Sequence, residues 1–392
     1  MPEISHRGGI DAELFEAFAA QLKRYVRERL VPAEPAVISG NAIPEDILAE
    51  MRGMGLFGLT IPPQYGGTGM NVSQYVEAVR ILAYGLPAFR SIISLNVGIV
   101  CSALVKSGTE AQRAEWLPRL AAGDVACFAL TEPDSGSDAA ALRTRAIRDG
   151  DSYVLSGTKR FITNAPFAKL ALVLARTPPE PLPRNAHISA FLVPMDTPGL
   201  TVGPPEDKMG QDGSQIADIV LDQVRVPATA LLGGEEGKGF AAAMQSLDNG
   251  RLSIAATSAG YARRILDTAI AYARSRKAFG EPIANFQLIQ AMIADSEAEI
   301  YASECMVADA CRLIDAGEQV TVKAASAKMF ASEACGRIAD RCVQVHGGAG
   351  YLKAYNAERF FRDSRVYRIY EGTTQVLQLV IAKRLLREAA EA

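Results

Sequence analysis

Apolar side chains recur every three or four residues through the first third of the chain, as they do on one face of a helix. Between residues 11 and 30 the apolar positions are Leu14, Phe15, Phe18, Leu22, Tyr25, Val26 and Leu30. Farther on, Pro44 followed by Glu45 and Asp46 is typical of the first turn of a helix. Because helical spacing continues to about residue 122, we predict an N-terminal α-helical domain over residues 1–125.

Short runs rich in β-branched and aromatic residues replace this pattern in the middle of the chain. The predicted strands cover residues 127–131, 153–155, 161–163, 170–174, 188–193 and 219–226. Asp149-Gly150 indicates a hairpin turn, and the proline-rich stretch 177–184 indicates a surface loop. These signals predict a middle β domain over residues 126–232.

Long helical patterns return after Gly239 and break near residues 280–282, 315–317 and 347–350, where glycine or proline interrupts them. Four or five long helices favour a bundle over residues 233–392. Strands and helices do not alternate, which argues against a doubly wound sheet. The predicted fold class is therefore α+β with several domains, in the order helical, β, helical.

The composition is that of a globular protein that carries little net charge. The chain has 392 residues, of which 49% are hydrophobic and 22% charged, and its formal net charge is −3. A balanced charge of this kind gives no basic footprint for nucleic acid or an anionic membrane. The N-terminus lacks an apolar core of signal-peptide type, and the most apolar run, 91–105, is short and contains Asn96. We predict a cytoplasmic protein with no membrane insertion.

Cysteine and histidine residues do not suggest a metal or a nucleophilic triad. The six cysteines form no CxxC pair, and we expect buried thiols. The histidines, at positions 6, 187 and 346, are scattered along the chain. Cys342 and His346 lie four residues apart but lack further ligands, so no metal site is predicted.

Three glycine-containing patterns resemble known motifs but fail their structural context. Gly53, Gly55 and Gly58 spell GxGxxG after a helical pattern rather than a strand, which indicates a loop that ends a helix. The stretch 233–239 lacks the spacing and the hydroxyl residue of a phosphate loop, and 156–159 spells SxxK inside a predicted strand. None of the three is expected to carry chemistry.

Another set of segments combines glycine with specific polar residues. They are TEPDSGSD at 131–138, GTKRFITN at 157–164, VRVP at 224–227, RKAFG at 276–280, QVHGGAGY at 344–351, RD at 362–363 and IYEGTTQ at 369–375. In this order they resemble the acyl-CoA dehydrogenase family over nearly the whole chain. The resemblance implies a helical N-terminal domain, a middle β barrel and a C-terminal four-helix bundle, in agreement with the segment order. It also implies a homotetramer with one FAD per subunit.

The same resemblance implies an oxidoreductase of fatty acid metabolism. Members oxidise an acyl-CoA thioester to the trans-2-enoyl-CoA and pass electrons to an electron-transfer flavoprotein. The reaction needs a base for the proton next to the thioester while hydride leaves the next carbon for the flavin. Glu371 matches the family's catalytic base; the alternative is a solvated glutamate at a helix start. In some relatives the base precedes the arginine matched by Arg251, but here that position is Gly250.

FAD-binding residues carry over by their positions in the motifs. The flavin-side strand and loop would comprise Phe128, Leu130, Thr131, Gly136 and Ser137, and the segment against the isoalloxazine would comprise Phe161, Ile162 and Thr163. The resemblance assigns the pyrophosphate to Arg276, the adenine half to Phe279 and Gln287, and the neighbouring subunit's dinucleotide site to Gln344, Gly347, Gly348, Thr373 and Gln375. Ordinary core packing is the alternative for the aromatic residues.

Substrate-side positions are Ser137, Asp248, Arg251, Tyr370 and Gly372, by the same resemblance. The pairing of Gly250 with Glu371 resembles short- and medium-chain members, and the helix at 90–100 is expected to line the acyl pocket. Two residues depart from the family pattern. Phe161 stands where many relatives have tryptophan, and Asp212 stands where a basic residue is frequent.

Two other functions remain open at this point. One is a relative with oxidase or monooxygenase chemistry, in which oxygen accepts the electrons; Glu371 weighs against it. The other is a flavin scaffold without catalytic activity. Stoichiometric flavin and its reduction by an acyl-CoA would separate these hypotheses.

Overall fold

A computed structural model describes residues 8–177 and 187–391 of the chain. His6 and residues 178–184 of the predicted surface loop lie outside the described residues. The first domain consists of helices α1 (Ala12–Tyr25), α2 (Val31–Gly40), α3 (Glu45–Gly53), α4 (Val72–Leu82), α5 (Pro87–Leu95), α6 (Ser102–Ser107) and α7 (Glu110–Ala121). The predicted helical domain is thus confirmed, and the GxGxxG stretch is the loop that follows α3.

Helix α1 shows both the strength and the limit of the apolar pattern. It begins after Asp11, whose carboxylate accepts hydrogen bonds from two backbone N–H groups of the first turn. Leu22 and Leu30 are buried as predicted, whereas Leu14 is 59% exposed. Phe15 and Phe18 are partly buried against the same core, so the first turns of α1 contact the core through these residues and not through Leu14.

An apolar helical run crosses the centre of the molecule. Helices α5 and α6 are joined by π-helical turns at Asn96–Cys101, so the run extends over Pro87–Ser107 and is longer than the sequence suggested. Among the described residues it is the one helix with the length and composition to cross a membrane, and most of it is buried inside the protein. Asn96 is fully buried, and its side-chain oxygen accepts a hydrogen bond from Ala126 N (2.9 Å).

The second domain is a curled sheet, which corresponds to the predicted β barrel. Its strands are β1 (Ala126–Ala129), β2 (Arg145–Asp149), β3 (Ser152–Thr163), β4 (Leu170–Arg176), β5 (Ile188–Pro194), β6 (Leu200–Val202) and β7 (Ile216–Pro227). The strand order is β1-β4-β2-β3-β7-β6, with β5 paired to β4. Strands β2 and β3 form the hairpin that Asp149-Gly150 predicted.

Two strands were missed by the sequence analysis, for different reasons. Strand β2 buries only Ala146, so it has no alternating apolar pattern to detect. Strand β6 is three residues long. The predicted strands at 153–155 and 161–163 are one continuous strand, β3, interrupted only by irregularities in its pairing with β7.

The third domain contains four long helices, which confirms the predicted bundle. They are α8 (Gly239–Ser275), α9 (Gln287–Asp315), α10 (Thr321–His346) and α12 (Thr374–Glu391). Between them lie the short strands β8 (Lys277–Ala278) and β9 (Glu281–Pro282) and the helix α11 (Ala357–Ser364). Many alanines are buried along α10, which allows its backbone to lie close to its neighbours.

Polar contacts tie the first domain to the third. The carboxylate of Asp315, at the end of α9, accepts hydrogen bonds from Val72 N (2.9 Å) and Ser73 N (3.0 Å) at the start of α4. Glu34 of α2 and Arg359 of α11 form an almost fully buried ion pair with an N–O distance of 2.8 Å. These contacts fix how the two helical domains meet.

The cysteines and His346 have structural surroundings. All six cysteines are free thiols; five are buried as predicted, but Cys305 is exposed. The His346 ring stacks on Tyr272 (4.0 Å between centroids), and its Nδ1 lies 2.7 Å from the Cys342 carbonyl oxygen. Within residues 8–177 and 187–391, no group of three possible metal ligands is present.

We expect Arg359→Met to destabilise the protein by up to about 3 kcal/mol, because it removes the close partner of the buried Glu34 carboxylate and leaves only Arg264, at 3.9 Å. The free energy of unfolding from denaturant titration measures this. The double variant Glu34→Gln/Arg359→Met should lose less than the single variant. An equal or larger loss in the double variant would contradict an ion-pair origin.

Candidate active site

Glu371 lies in a tight loop just before α12, in a backbone conformation that L-residues rarely adopt. Its φ is +54°, and that of Gly372 is +94°. The loop is held from α10, because Lys328 Nζ donates to the Gly372 carbonyl oxygen (2.7 Å) and Thr374 Oγ1 donates to Glu333 (2.7 Å). Left-handed non-glycine residues cluster at functional sites, where the surroundings hold them in place.

The carboxyl group of Glu371 packs directly on the backbone of α8. A Cβ atom built on Gly250 would lie 2.8 Å from Glu371 Oε2, so a side chain at this position would displace the carboxyl, the flexible end of Glu371. Oε2 is buried and accepts no hydrogen bond from the described residues. Burial raises the pKa of Glu371, and the charges of Arg251, Lys328 and Arg90 oppose that rise. A carboxylate with a free lone pair in a desolvated site has the properties of a general base.

Arg251, one residue beyond Gly250, is held by a carboxylate on the same helix. Its Nη1 donates to Asp248 Oδ1 (2.8 Å), and Asp248 Oδ2 accepts from Thr321 Oγ1 of α10 (2.8 Å). Arg251 Nε is buried and lacks a partner in the described part of the chain. Two predicted substrate-side residues, Asp248 and Arg251, are therefore bound to each other, and the Arg251 charge acts on Glu371.

Lys328 was not singled out by the sequence analysis. It is fully buried, and burial lowers the pKa of its ammonium group to about 8, although the charge of Glu371 acts in the opposite direction. One feature of the sequence could have indicated Lys328: it is the single charged residue in the otherwise uncharged helical stretch 324–331, and lysines are rarely buried. Its partner, the Gly372 carbonyl, is 44 residues away in sequence and could not be inferred.

Tyr370, another predicted substrate-side residue, contacts a buried arginine of the first domain. Arg90 Nη2 of α5 donates to the Tyr370 hydroxyl oxygen (2.9 Å), and Arg90 Nη1 donates to Ser94 Oγ (2.8 Å). The helix at 90–100 thus reaches the loop that carries Glu371, and its lining of the acyl pocket stays a prediction. From the sequence, Arg90 was only the start of that helix and had no assigned role.

Two predicted flavin-side motifs are joined by a buried ion pair. Lys159 Nζ of β3 lies 2.7 Å from Glu132 Oε1, and Arg160 N donates to the Thr131 carbonyl oxygen (2.8 Å). Burial opposes ionisation of Glu132, but the Lys159 charge and backbone N–H donors hold the pKa of its carboxyl below the usual value. The SxxK stretch therefore has a structural role: its lysine links the two motifs.

The predicted flavin-contact residues differ in exposure. Phe161 has a φ of +58° at an irregularity of β3 and is 52% exposed, with the Arg160 guanidinium over its ring. Ile162 is buried in the core of the middle domain, so it packs inward. The others on this side are half-buried or exposed: Phe128, Leu130, Thr131 and Thr163 are half-buried, and Gly136 and Ser137 are exposed.

The residues assigned to the dinucleotide half lie at the surface of the third domain. Arg276, Phe279 and Gln287 surround the β8–β9 hairpin, and the Phe279 ring is 97% exposed. Gln344, Gly347 and Gly348 end α10, and Thr373 and Gln375 begin α12; of these five only Thr373 is not exposed. An aromatic ring left uncovered on a hairpin is typical of a position that a ligand or a second chain covers.

The departure at Asp212 lies in a loop between domains. Next to it, Gln211 has a φ of +59° and its backbone N–H donates to Asp363 of α11. Asp363 also accepts from the Tyr261 hydroxyl (2.7 Å), and burial raises the pKa of its carboxyl. Asp212 therefore belongs to a segment that docks the middle domain on the bundle.

Models of three family domains match the chain in order. The acyl-CoA dehydrogenase N-terminal domain matches residues 13–124, the middle domain 127–224 and the C-terminal domain 237–386. The chain belongs to the acyl-CoA dehydrogenase family. Members are flavoproteins and oxidoreductases that act on a CH–CH group.

Relatives with different acyl groups in their names match this acyl-CoA dehydrogenase closely. The mitochondrial short-chain specific acyl-CoA dehydrogenase of Homo sapiens is 40% identical over 364 residues, 93% of this chain and 88% of that protein. Subunit CarC of the caffeyl-CoA reductase-Etf complex of Acetobacterium woodii is 42% identical over 353 residues, 90% of this chain and 92% of CarC. The glutaryl-CoA dehydrogenase of Mycobacterium smegmatis, solved in complex with FADH2, superposes with a TM-score of 0.89 at 34% identity over 96% of this chain and 95% of that one.

For this acyl-CoA dehydrogenase we expect Gly250→Ala to reduce substrate-dependent flavin reduction by about 100-fold or more. The added methyl would meet Glu371 Oε2 and move the carboxyl out of its position, and small displacements of this kind are costly in catalysis. Stopped-flow absorbance of the flavin measures the rate. Gly53→Ala, where a Cβ meets nothing within 4 Å, is the matched control. Equal rates in both variants would rule out this steric role.

A second prediction concerns pH. The Lys328 charge lowers the pKa of Glu371, so Lys328→Met should raise that pKa and move the acid limb of the flavin-reduction rate to higher pH. The measurement is the rate of flavin reduction against pH. Lys323→Met, an exposed lysine of the same helix paired with Asp309 (2.5 Å), should leave the limb in place. An acid limb that stays or moves to lower pH in Lys328→Met would refute the coupling.

Proposed function

We propose that this protein catalyses the FAD-dependent α,β-dehydrogenation of an acyl-CoA thioester to the trans-2-enoyl-CoA. The observation that carries the proposal is the buried Glu371 carboxyl, whose Oε2 is free of described partners and lies among three cations. Glu371 takes the proton from the carbon next to the thioester. The flavin, when bound, accepts the hydride from the following carbon.

The surroundings of Glu371 suit this proton transfer. Burial makes the carboxylate a stronger base than in water, while the charges of Arg251, Lys328 and Arg90 oppose that rise in its pKa. The Glu371 backbone N–H makes no hydrogen bond to another described residue. It is therefore available to donate to the thioester oxygen, where negative charge develops as the proton leaves.

The residues present fit an FAD molecule. Thr131, Ser137 and Thr163 offer hydroxyl groups at the flavin side, and Phe161 offers an aromatic face beside them. A Cβ on Gly136, Gly347 or Gly348 would meet nothing within 4 Å, so the backbone there leaves open space for a ligand. Arg276 supplies an exposed cation of the kind that binds a pyrophosphate. Gln344 and Gln375 would contact the FAD dinucleotide that a neighbouring subunit holds.

We further propose that the electrons pass to an electron-transfer flavoprotein and that the enzyme is a homotetramer. The first proposal is supported by the relative CarC, whose name places it in a complex with such a flavoprotein. The second is supported by apolar side chains left exposed on the bundle, where further chains would cover them. They include Leu288 (78%), Tyr301 (67%), Tyr351 (84%) and Leu386 (71%).

Glu371→Gln tests the proposed base. The variant should retain flavin and bind butyryl-CoA but lose roughly 10²- to 10⁴-fold in the rate of anaerobic flavin bleaching, because glutamine cannot accept the proton. Glu388→Gln, an exposed residue of α12, is the control. Near-normal bleaching in Glu371→Gln would exclude it as the base.

The same titration separates the other functions. Rapid reoxidation of the bleached enzyme by oxygen would favour an oxidase or monooxygenase. Bound FAD that no acyl-CoA bleaches would point to another substrate class or an oxidase-like relative. A protein that takes up no FAD would favour a scaffold. The names of the relatives span short-chain, caffeyl and glutaryl groups, so overall similarity does not select the acyl group.

A further inference from the structure

Arg90 is a buried cation whose protein contacts are all neutral. Arg90 is 3% exposed, and its guanidinium donates hydrogen bonds to the Ser94 and Tyr370 hydroxyl oxygens. Its Nε is buried and has no partner within the described ranges. Arg359 and Lys159, which are similarly buried, each contact a carboxylate. Burying a charge without an opposite charge is unfavourable, so the contrast requires an explanation.

The surroundings of Arg90 contain other polar atoms without protein partners. Four other polar atoms are buried and make no hydrogen bond within the described part of the chain: Ser253 Oγ, the Tyr367 hydroxyl, Arg251 Nε and Glu371 Oε2. The Arg90 charge opposes the rise in the pKa of Tyr367, of Glu371 and of Tyr75; Arg251 does the same for Glu371, and Ser253 lies beside Tyr75, so these groups form one region. Native proteins leave few buried polar atoms unpaired, so a cluster of them indicates a polar ligand. A pocket for an unsubstituted alkyl chain would not need this cluster of polar atoms.

Of the three cations near the proposed base, one, Arg90, has no carboxylate partner of its own. Arg251 is paired with Asp248 at 2.8 Å. Lys328 and Glu371 offset each other, and Lys328 is also bound to a carbonyl oxygen. Of the three cations that act on Glu371, Arg90 has the smallest effect and makes no hydrogen bond to it. Arg90 is therefore not explained as the partner of Glu371, and the region can accept one more negative charge.

We propose that the acyl group oxidised by this enzyme ends in a carboxylate, and that Arg90 binds this carboxylate at the far end of the acyl pocket. Arginine binds carboxylates through two parallel N–H donors, and the free Nε with an adjacent Nη provides such a pair. The Ser94 and Tyr370 hydroxyls, already within hydrogen-bond distance of Arg90, orient the guanidinium. The inference rests on the proposed dehydrogenation at Glu371. It narrows the substrate to the monothioesters of dicarboxylic acids.

The first test uses the wild-type enzyme with bound FAD. Anaerobic flavin reduction is measured with succinyl-, glutaryl- and adipoyl-CoA and with their counterparts of equal length, butyryl-, pentanoyl- and hexanoyl-CoA. At least one diacid thioester should exceed its counterpart by about 100-fold in the ratio of rate to half-saturating concentration, because the counterpart leaves Arg90 buried without an anion. The monomethyl ester of that diacid thioester should behave as the counterpart does.

Variants then assign the preference to Arg90. In Arg90→Gln the diacid advantage should fall by about 100-fold, and Arg90→Lys should recover only part of it, since a lysine cannot form the two parallel bonds. Ser94→Ala, a smaller change, should reduce the same ratio if Arg90→Gln does not fold. Arg27→Gln, which removes an exposed arginine that stacks on Tyr84, is the control.

The outcomes separate this inference from the proposed function. Reduction by butyryl- or pentanoyl-CoA with no diacid preferred would overturn the carboxylate site and leave the dehydrogenase proposal standing. An equal loss for both substrate series in Arg90→Gln would also overturn it, because Arg90 would then act through Glu371. If no thioester reduces the flavin, both proposals fail together.

Discussion

The contact between the Glu371 carboxyl and the backbone of α8 is the constraint on which the rest of the site depends. A side chain at position 250 would occupy the space of Glu371 Oε2, so the glycine in the middle of this long helix lets the carboxyl lie where it does. Glycine weakens helices by about 1 kcal/mol relative to alanine. Here the glycine lets the Glu371 carboxylate lie directly against the helix backbone. The loop at Glu371 and Gly372, whose φ angles are both positive, holds the carboxyl in this position from the other side.

Burial and charge act on this carboxyl in opposite directions. Desolvation favours the protonated carboxyl, and a protonated carboxyl cannot take a proton from a substrate. Three cations from α5, α8 and α10 oppose this rise in the pKa, yet none of them hydrogen-bonds to Oε2. The oxygen therefore has cations near it and still has no hydrogen-bond partner among the described residues. This balance requires that α5 from the first domain and three segments of the third domain meet at one point.

The sequence predicts the architecture well because the relevant signals are local. Periodic apolar residues such as Leu22 and Leu30, the Asp149-Gly150 turn and the breaks between long helices all correspond to elements in the structure. Strand β2 escaped because four of its five residues face solvent. The motif residues were predicted only as members of an ordered set. Their separate surroundings, such as an inward Ile162 and a largely exposed Phe161, depend on an irregularity in β3 that has no sequence signal.

Two cations of the site, Arg90 and Lys328, could not be predicted from the sequence for a different reason. Arg90 and Lys328 lie in apolar helices that look like ordinary core, and their partners are 280 and 44 residues away. A buried charge becomes informative only once its contacts are known, since the same residue type on the surface would carry no meaning.

These positions also divide the work of the proposed site between domains. Gly250, Arg251 and Lys328 belong to the third domain, as does Glu371, and the two cations among them oppose the rise in the pKa of Glu371 more strongly than Arg90 does. Arg90 and Ser94, which would meet the far end of the acyl chain, belong to the first domain. Substitution in α5 can therefore change the acyl group while the base and its two stronger cationic neighbours stay in place. A family whose members are named for short-chain, caffeyl and glutaryl groups on one fold is what such a division predicts.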